Sequence, residues 1–291
     1  MLPIELVKLT ALMERTSGSP SVRIGLIDGP VLTQHPELAP EHLYEISRNH
    51  SASCTQASST ACLHGTFVAG ILAARRGSAA PAICPNCTLL VRPIFAERTT
   101  GHDQMPSTTP RELAAAIIDC IAAGARVINL SLALAQPATS REQFLEEALN
   151  LAARRGVIVV AAAGNQGTLG SSAITRHPWV HPVAACDRRG RPMNESNLGS
   201  SIGRHGLRAP GASIISLSTG GQLLTLSGTS VAAPFVTGTI ALLWSVFPTA
   251  AAAQIKSALS QTSTPRRASV VPPLLDAAAA YQSLLSAQAR R

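Results

Sequence analysis

One run constrains this chain more than any other. Between Gly156 and Gly164 every residue is apolar: Val-Ile-Val-Val-Ala-Ala-Ala. A strand with one wet face would alternate polar and apolar residues. This run does not, so it belongs in the interior of a parallel sheet covered on both sides. Shorter runs of the same kind span 22–28, 88–95 and 126–132, and 181–186, 206–210 and 213–218 read as further short strands. Helical spacing fills the gaps between them. His64–Ala74 is one such segment, and Thr109-Pro-Arg-Glu opens another that Gly124 stops. A third begins at Ser140 and closes on Arg154-Arg155-Gly156, and others span 230–246, 249–260 and 276–287. The caps fit: a Thr before a first-turn proline at one end, basic residues and glycine at the other. The alternation predicts an α/β fold, a single doubly wound domain over residues 21–291 with a mostly parallel sheet and helices on both faces. Residues 1–20 read as an N-terminal extension.

Hydrophobic residues make up 46% of the chain but aromatics only 3%. The core must therefore be Ala, Val, Leu and Ile, which suits parallel strands under close-packed helices. Net charge is +8. Its arginine pairs, at 75–76, 154–155 and 188–189, are scattered and not interleaved with aromatics. That excludes a nucleic-acid partner and leaves a solvated surface, with help in holding an acidic peptide as the lesser reading. No apolar stretch reads as a membrane span. Glu5, Lys8 and Glu14 interrupt the start, so it does not read as a signal peptide, and a cytoplasmic location is expected.

The cysteines stand at 54, 62, 84, 87, 120 and 186. A zinc site would want two tight pairs, and only Cys84-Pro-Asn-Cys87 is one. A redox pair lacks its catalytic context. Free thiols or local disulfides that staple loops are the preferred reading, with Cys120 and Cys186 as buried small hydrophobes.

Four polar residues stand out. Asp28 ends the first apolar run before Gly29-Pro30; turn capping competes with function there. His64 opens a helical segment and is followed by Gly65, which would let another backbone come close. Ser230 lies among small residues in Gly228-Thr-Ser230-Val-Ala-Ala-Pro234. It could be a mere helix cap, or a hydroxyl left open to an acyl group beside helix N-terminal amides. Pro234 is expected in the first turn, where its missing N–H is tolerated. Asn165 follows Ala161-Ala-Ala-Gly164 and is either a turn residue or an amide donor at a strand end.

Taken in order, these motifs resemble the subtilase family of serine proteases. Ile24-Gly-Leu-Ile-Asp28-Gly resembles the family's Asp motif, His64-Gly-Thr-Phe-Val-Ala-Gly70 its His motif, Ala162-Ala-Gly-Asn165 its Asn motif and Gly228–Pro234 its Ser motif. The resemblance implies a seven-stranded, three-layer αβα fold and a catalytic triad of Asp28, His64 and Ser230, with Asn165 in the oxyanion hole. It also implies substrate binding by Ser131, Leu132, Ala133, Gly164 and Gln166. Asp28-Gly-Pro-Val31 and Val91-Arg-Pro-Ile-Phe95 resemble, more narrowly, the subtilases of cyanobactin biosynthesis, which cut leader or follower segments from ribosomal precursor peptides. The expected partner is then a peptide substrate. Members that macrocyclise carry a helical lid between Asp and His. Asp28 and His64 are only 36 positions apart, so hydrolysis is favoured over transamidation. An inactive peptide-binding scaffold is the non-enzymatic alternative.

Departures from the family shape further expectations. About 20 residues precede the first strand, too few for the usual inhibitory prodomain. Ala133-Leu134 stand where the substrate strand usually has glycines, which narrows the cleft. No acidic cluster has calcium-ligand spacing, so neither a metal nor another cofactor is expected.

Overall fold

A computed structural model describes residues 1–46, 53–95, 97, 108–132, 142–260 and 269–290. Its sheet is formed by β1 (Arg23–Asp28), β2 (Leu43–Glu45), β3 (Thr88–Pro93), β4 (Val127–Leu130), β5 (Ile158–Ala162), β6 (Val180–Cys186) and β7 (Leu207–Pro210). These seven strands lie in the order β2-β3-β1-β4-β5-β6-β7, and every pairing is parallel. The fold class expected from the alternation is the one found. The segment expected as a strand at 213–218 is instead β8 (Ile214–Ser216), which pairs antiparallel with β9 (Leu224–Leu226) outside the main sheet. Neither β2 nor β9 had a sequence signal, because both are short and partly exposed.

Burial of the sheet on both faces can be read along β5. Ile158 and Val160 join one core cluster and Val159 and Ala161 the other. On the first face lie α3 (Thr60–Ala73) and α8 (Thr229–Val246); on the second lie α4 (Pro110–Ala122) and α5 (Gln143–Arg155). Thr109 caps α4 through a reciprocal pair with Glu112, and α5 ends on Gly156 at φ 67°. The helix begun at Ser140 in the sequence reading is described only from Gln143; Ser140 lies outside the described residues.

One expectation changes, that for membrane-length apolar stretches, while the cysteines follow the preferred reading of free thiols and a local disulfide. The N-terminal residues form α1 (Pro3–Leu6) and α2 (Thr10–Arg15), and Val7, Leu9, Leu12 and Met13 are buried in the first core cluster. Val7 O accepts from Ala277 N at the start of α10 (Ala277–Gln288). One helix does have the length and hydropathy of a membrane span, contrary to the sequence reading. It is α8, with a mean hydropathy of 1.5, and 83% of it is buried inside the molecule. A helix apolar all round suits a core as well as it suits lipid. Its Phe235 and Trp244 are enclosed, each worth about 1.5–3 kcal/mol of burial. Finally, Cys54 and Cys62 form a disulfide with Cα atoms 5.6 Å apart. Cys84, Cys87, Cys120 and Cys186 are free and buried, so the thiols do not assemble one four-cysteine cluster among the described residues.

The strand order reverses beside β1. The chain lays β2 and β3 on one side of it, then crosses to β4 on the other. In an open parallel sheet, ligands bind in the crevice at the carboxyl ends of strands where the order reverses. Asp28 ends β1 and Ser131 follows β4 at that place.

Candidate active site

The site is assembled by two close helix approaches. Ser59 caps α3, its hydroxyl accepting from Cys62 N. The helix therefore starts at Thr60, one turn earlier than expected, and His64 sits in its second turn, not at its opening. Two glycines let this helix lie against the Asp28-Gly29-Pro30 turn. A Cβ on Gly29 would fall 2.0 Å from Ala61 O, and one on Gly65 would fall 2.4 Å from both Gly29 O and Pro30 O. No side chain fits at either position. The result is that His64 Nδ1 donates to Asp28 Oδ1 at 2.7 Å, and Gly29 N donates to the same oxygen at 2.6 Å. Asp28 is fully buried. Its other oxygen, Oδ2, has no hydrogen-bond partner among the described residues. Gly29-Pro30, where many subtilases have Ser/Thr-Gly, brings neither a hydroxyl nor a second N–H.

Helix α8 carries the second half. Gly228 enters it at φ 134°, and Ser230 is its second residue. Ser230 Oγ lies 3.1 Å from His64 Nε2 and donates to it once Nδ1 holds the ring proton. Pro234 is in the second turn of α8, not the first. Its missing N–H therefore leaves the Ser230 carbonyl without its intrahelical donor. Ser131 Oγ fills that place at 3.0 Å. Behind it, Asn129 Nδ2 donates to Ser131 Oγ at 2.7 Å and Thr237 Oγ1 donates to Asn129 Oδ1 at 2.8 Å. A buried polar chain from β4 thus ties down the backbone of Ser230.

Asn165 lies in the loop beyond β5, three positions past the strand end at Ala162. Its Oδ1 accepts from Thr229 N at 2.8 Å and from Thr229 Oγ1 at 3.0 Å. With the oxygen so engaged, the NH₂ is left to donate. It lies over Gly228, where an added Cβ would come within 2.9 Å of Nδ2. The Ser230 N–H, in the first turn, has no intrahelical acceptor. Together these two donors can face an oxyanion. No role was expected for Thr229, Asn129 or Thr237, although Thr229 stands inside the Gly-Thr-Ser motif and Asn129 opens the run Asn129-Leu-Ser-Leu132.

Burial lowers the pKa of His64, but the charge of Asp28 and their hydrogen bond outweigh it, so the value is raised above the ordinary 6.5. Of the expected substrate-binding residues, Ser131 and Leu132 are buried beside the site. Gly164 N donates to Thr229 Oγ1 at 3.1 Å, Gln166 is exposed next to Asn165, and Ala133 lies outside the described residues.

The family model described as the subtilase family matches residues 19–282. The chain belongs to the subtilase family. This subtilase is 35% identical over 232 residues to a thermophilic serine proteinase of Bacillus sp. (strain AK1), covering 78% of this chain and 53% of that one. It is 34% identical over 202 residues to a thermostable alkaline protease of Halalkalibacterium halodurans, covering 69% and 52%. It thus spans about half the length of these two relatives. Subtilisin DY of Bacillus licheniformis is 29% identical over 266 residues, 90% of each chain. Among solved structures, a mutant of the protease domain of PatA superposes with TM-score 0.83 at 30% identity, covering 93% of this chain and 97% of that one. The prenylagaramide maturation protease PagA gives 0.82 at 28%, covering 95% and 98%. The PatG macrocyclase domain gives 0.83 at 21%, covering 97% of each, and shares the fold.

Proposed function

We propose that this subtilase is a serine endopeptidase that hydrolyses a ribosomal precursor peptide through an acyl-enzyme. The observation that carries the reading is His64 held between Asp28 and Ser230, at 2.7 and 3.1 Å. An alcohol is a weak nucleophile until a base takes its proton. As Ser230 Oγ attacks the scissile carbonyl carbon, its proton passes to His64 Nε2. Asp28 keeps Nδ1 protonated and stabilises the imidazolium. The carbonyl oxygen, now an anion, is met by Ser230 N–H and Asn165 Nδ2. The C–N bond then breaks, and Nε2 returns the proton to the leaving amine. Water attacks the acyl-enzyme, again losing a proton to His64, and a free carboxyl product and Ser230 are released.

The precursor-peptide part rests on likeness to PatA and PagA, both maturation proteases by name. The PatG likeness concerns the fold and does not favour macrocyclisation. Mass spectrometry of products from a synthetic precursor-type peptide separates the outcomes. Two linear fragments whose masses sum to substrate plus water support hydrolysis. A cyclic product lighter by water identifies a transamidase, and no turnover with no labelling by a fluorophosphonate identifies an inactive scaffold.

A pH profile checks the role of His64. The base must be neutral to accept the serine proton. Because the pKa is raised, kcat/KM should climb with pH through a midpoint above 6.5, the ordinary value for histidine. A midpoint below that value would contradict the His64–Asp28 coupling.

A further inference from the structure

The loop that carries Asn165 is turned around one buried asparagine that belongs to neither the triad nor the oxyanion pair. Asn197 is 4% exposed. Its Oδ1 accepts from Gln166 N at 3.0 Å, from Thr168 N at 3.1 Å and from Thr168 Oγ1 at 3.1 Å. Its Nδ2 donates to Ala163 O at 3.2 Å and to Gln166 Oε1 at 2.7 Å. Its backbone N–H donates to Gly164 O at 2.9 Å. A single side chain therefore binds the loop on both sides of Asn165, using donors and acceptor together. Gly164 makes this possible. It has φ +107°, and a Cβ there would fall 2.3 Å from Asn197 Nδ2, so the asparagine lies directly on the glycine backbone.

Asn165 itself touches the rest of the protein through Thr229, on the nucleophile's helix. The loop backbone that carries it is tied by Gly164 N to Thr229 Oγ1 and by Gly167 N to Glu195 O, and Asn197 adds side-chain bonds on both sides of Asn165. An oxyanion donor is worth most when it is preorganised, because no reorganisation is then needed as charge develops. From this geometry we infer that Asn197 is a positioning residue, which fixes the Asn165 amide at the oxyanion. It also commits the Oε1 of Gln166 to the scaffold, leaving the Gln166 NH₂ as the end of that side chain able to meet substrate.

This inference rests on the hydrolytic reading above. The test compares wild type, Asn165→Ala, Asn197→Ala and the double variant, each as the whole chain, with thermal melts run alongside peptide hydrolysis. Asn165→Ala should lower kcat by about 10²–10³-fold. Asn197→Ala should lower kcat by about 10²-fold, the scale of a roughly 1 Å misplacement, with KM changed less than about threefold. The double variant should be no slower than Asn165→Ala, since both changes remove one interaction. A folded Asn197→Ala with wild-type kcat, or losses that multiply in the double variant, would overturn the assignment. If Asn197→Ala does not fold, Asn197→Asp decides. It keeps the acceptor but removes the two Nδ2 donations, and a lowered kcat at unchanged KM supports the role while wild-type kcat refutes it. Wild type that neither hydrolyses peptide nor reacts with a fluorophosphonate would sink the hydrolytic reading itself, a result distinct from any of these.

Discussion

Replacing Ser230 with alanine abolishes fluorophosphonate labelling and lowers kcat by about 10⁶-fold, the scale of loss when the nucleophile of a triad is removed in this family. The reason is geometric. Among the described residues Ser230 Oγ makes one hydrogen bond, to His64 Nε2, so its removal deletes the attacking atom and orphans no other buried donor there. The Ser230 carbonyl keeps its bond from Ser131, and helix α8 keeps its place. The thermal midpoint should therefore stay near that of wild type while activity vanishes. Intact-mass analysis after labelling reads the first effect and a melt reads the second. Labelling that persists in Ser230→Ala would mean another residue is the nucleophile.

Asp28→Asn gives the next largest loss, about 10⁴-fold in kcat. The carboxylate oxygen Oδ1 is shared by His64 Nδ1 and Gly29 N. With an amide there, Gly29 N–H keeps an acceptor only if the amide oxygen stays put. His64 loses the charge that holds its proton on Nδ1. Burial, which lowers the pKa of His64, is then unopposed by the charge of Asp28. The acid limb of the residual activity should shift to lower pH than in wild type, a second readout that a merely structural defect would not produce. A loss under about tenfold, or an unmoved limb, would remove Asp28 from the mechanism.

The parts of the fold read correctly in advance are those whose signal is local. A strand buried on both faces shows itself as an unbroken apolar run, as at 156–164, and β5 occupies its middle. Thr109 and Gly156 announce helix ends through their own backbone preferences. The parts misread lack a periodic signal of their own or depend on neighbours far along the chain. The first turn of α3 was missed because Ser59, its cap, follows a polar loop with no helical pattern. Helix α8 has the composition of a membrane span and is a core helix only because the sheet and α3 cover it. In residues 1–20 Glu5, Lys8 and Glu14 interrupt any apolar run, yet Val7, Leu9 and Leu12 find a place in the core.

The same division holds at the site. Asp28, His64, Asn165 and Ser230 could be picked out because each sits in a short motif of small residues, and the fold brings them to one place. Ser131 was expected at the substrate; the structure gives its hydroxyl a second partner, the Ser230 carbonyl, 99 positions away. Pro234 creates that vacancy, and nothing in either motif alone reveals the pairing.

From the amino-acid sequence alone come the residues proposed for the triad, the both-faces-buried sheet and the helix ends, since these depend on side-chain type and on periods of a few residues. The tertiary structure alone decides how close the groups come and what steadies them. The 2.7 and 3.1 Å contacts of His64 join residues 36 and 166 positions apart, and Asn197 grips a loop some 30 positions upstream. Hydrogen bonds act over ångströms, and only the folded backbone brings such distant donors and acceptors within that range.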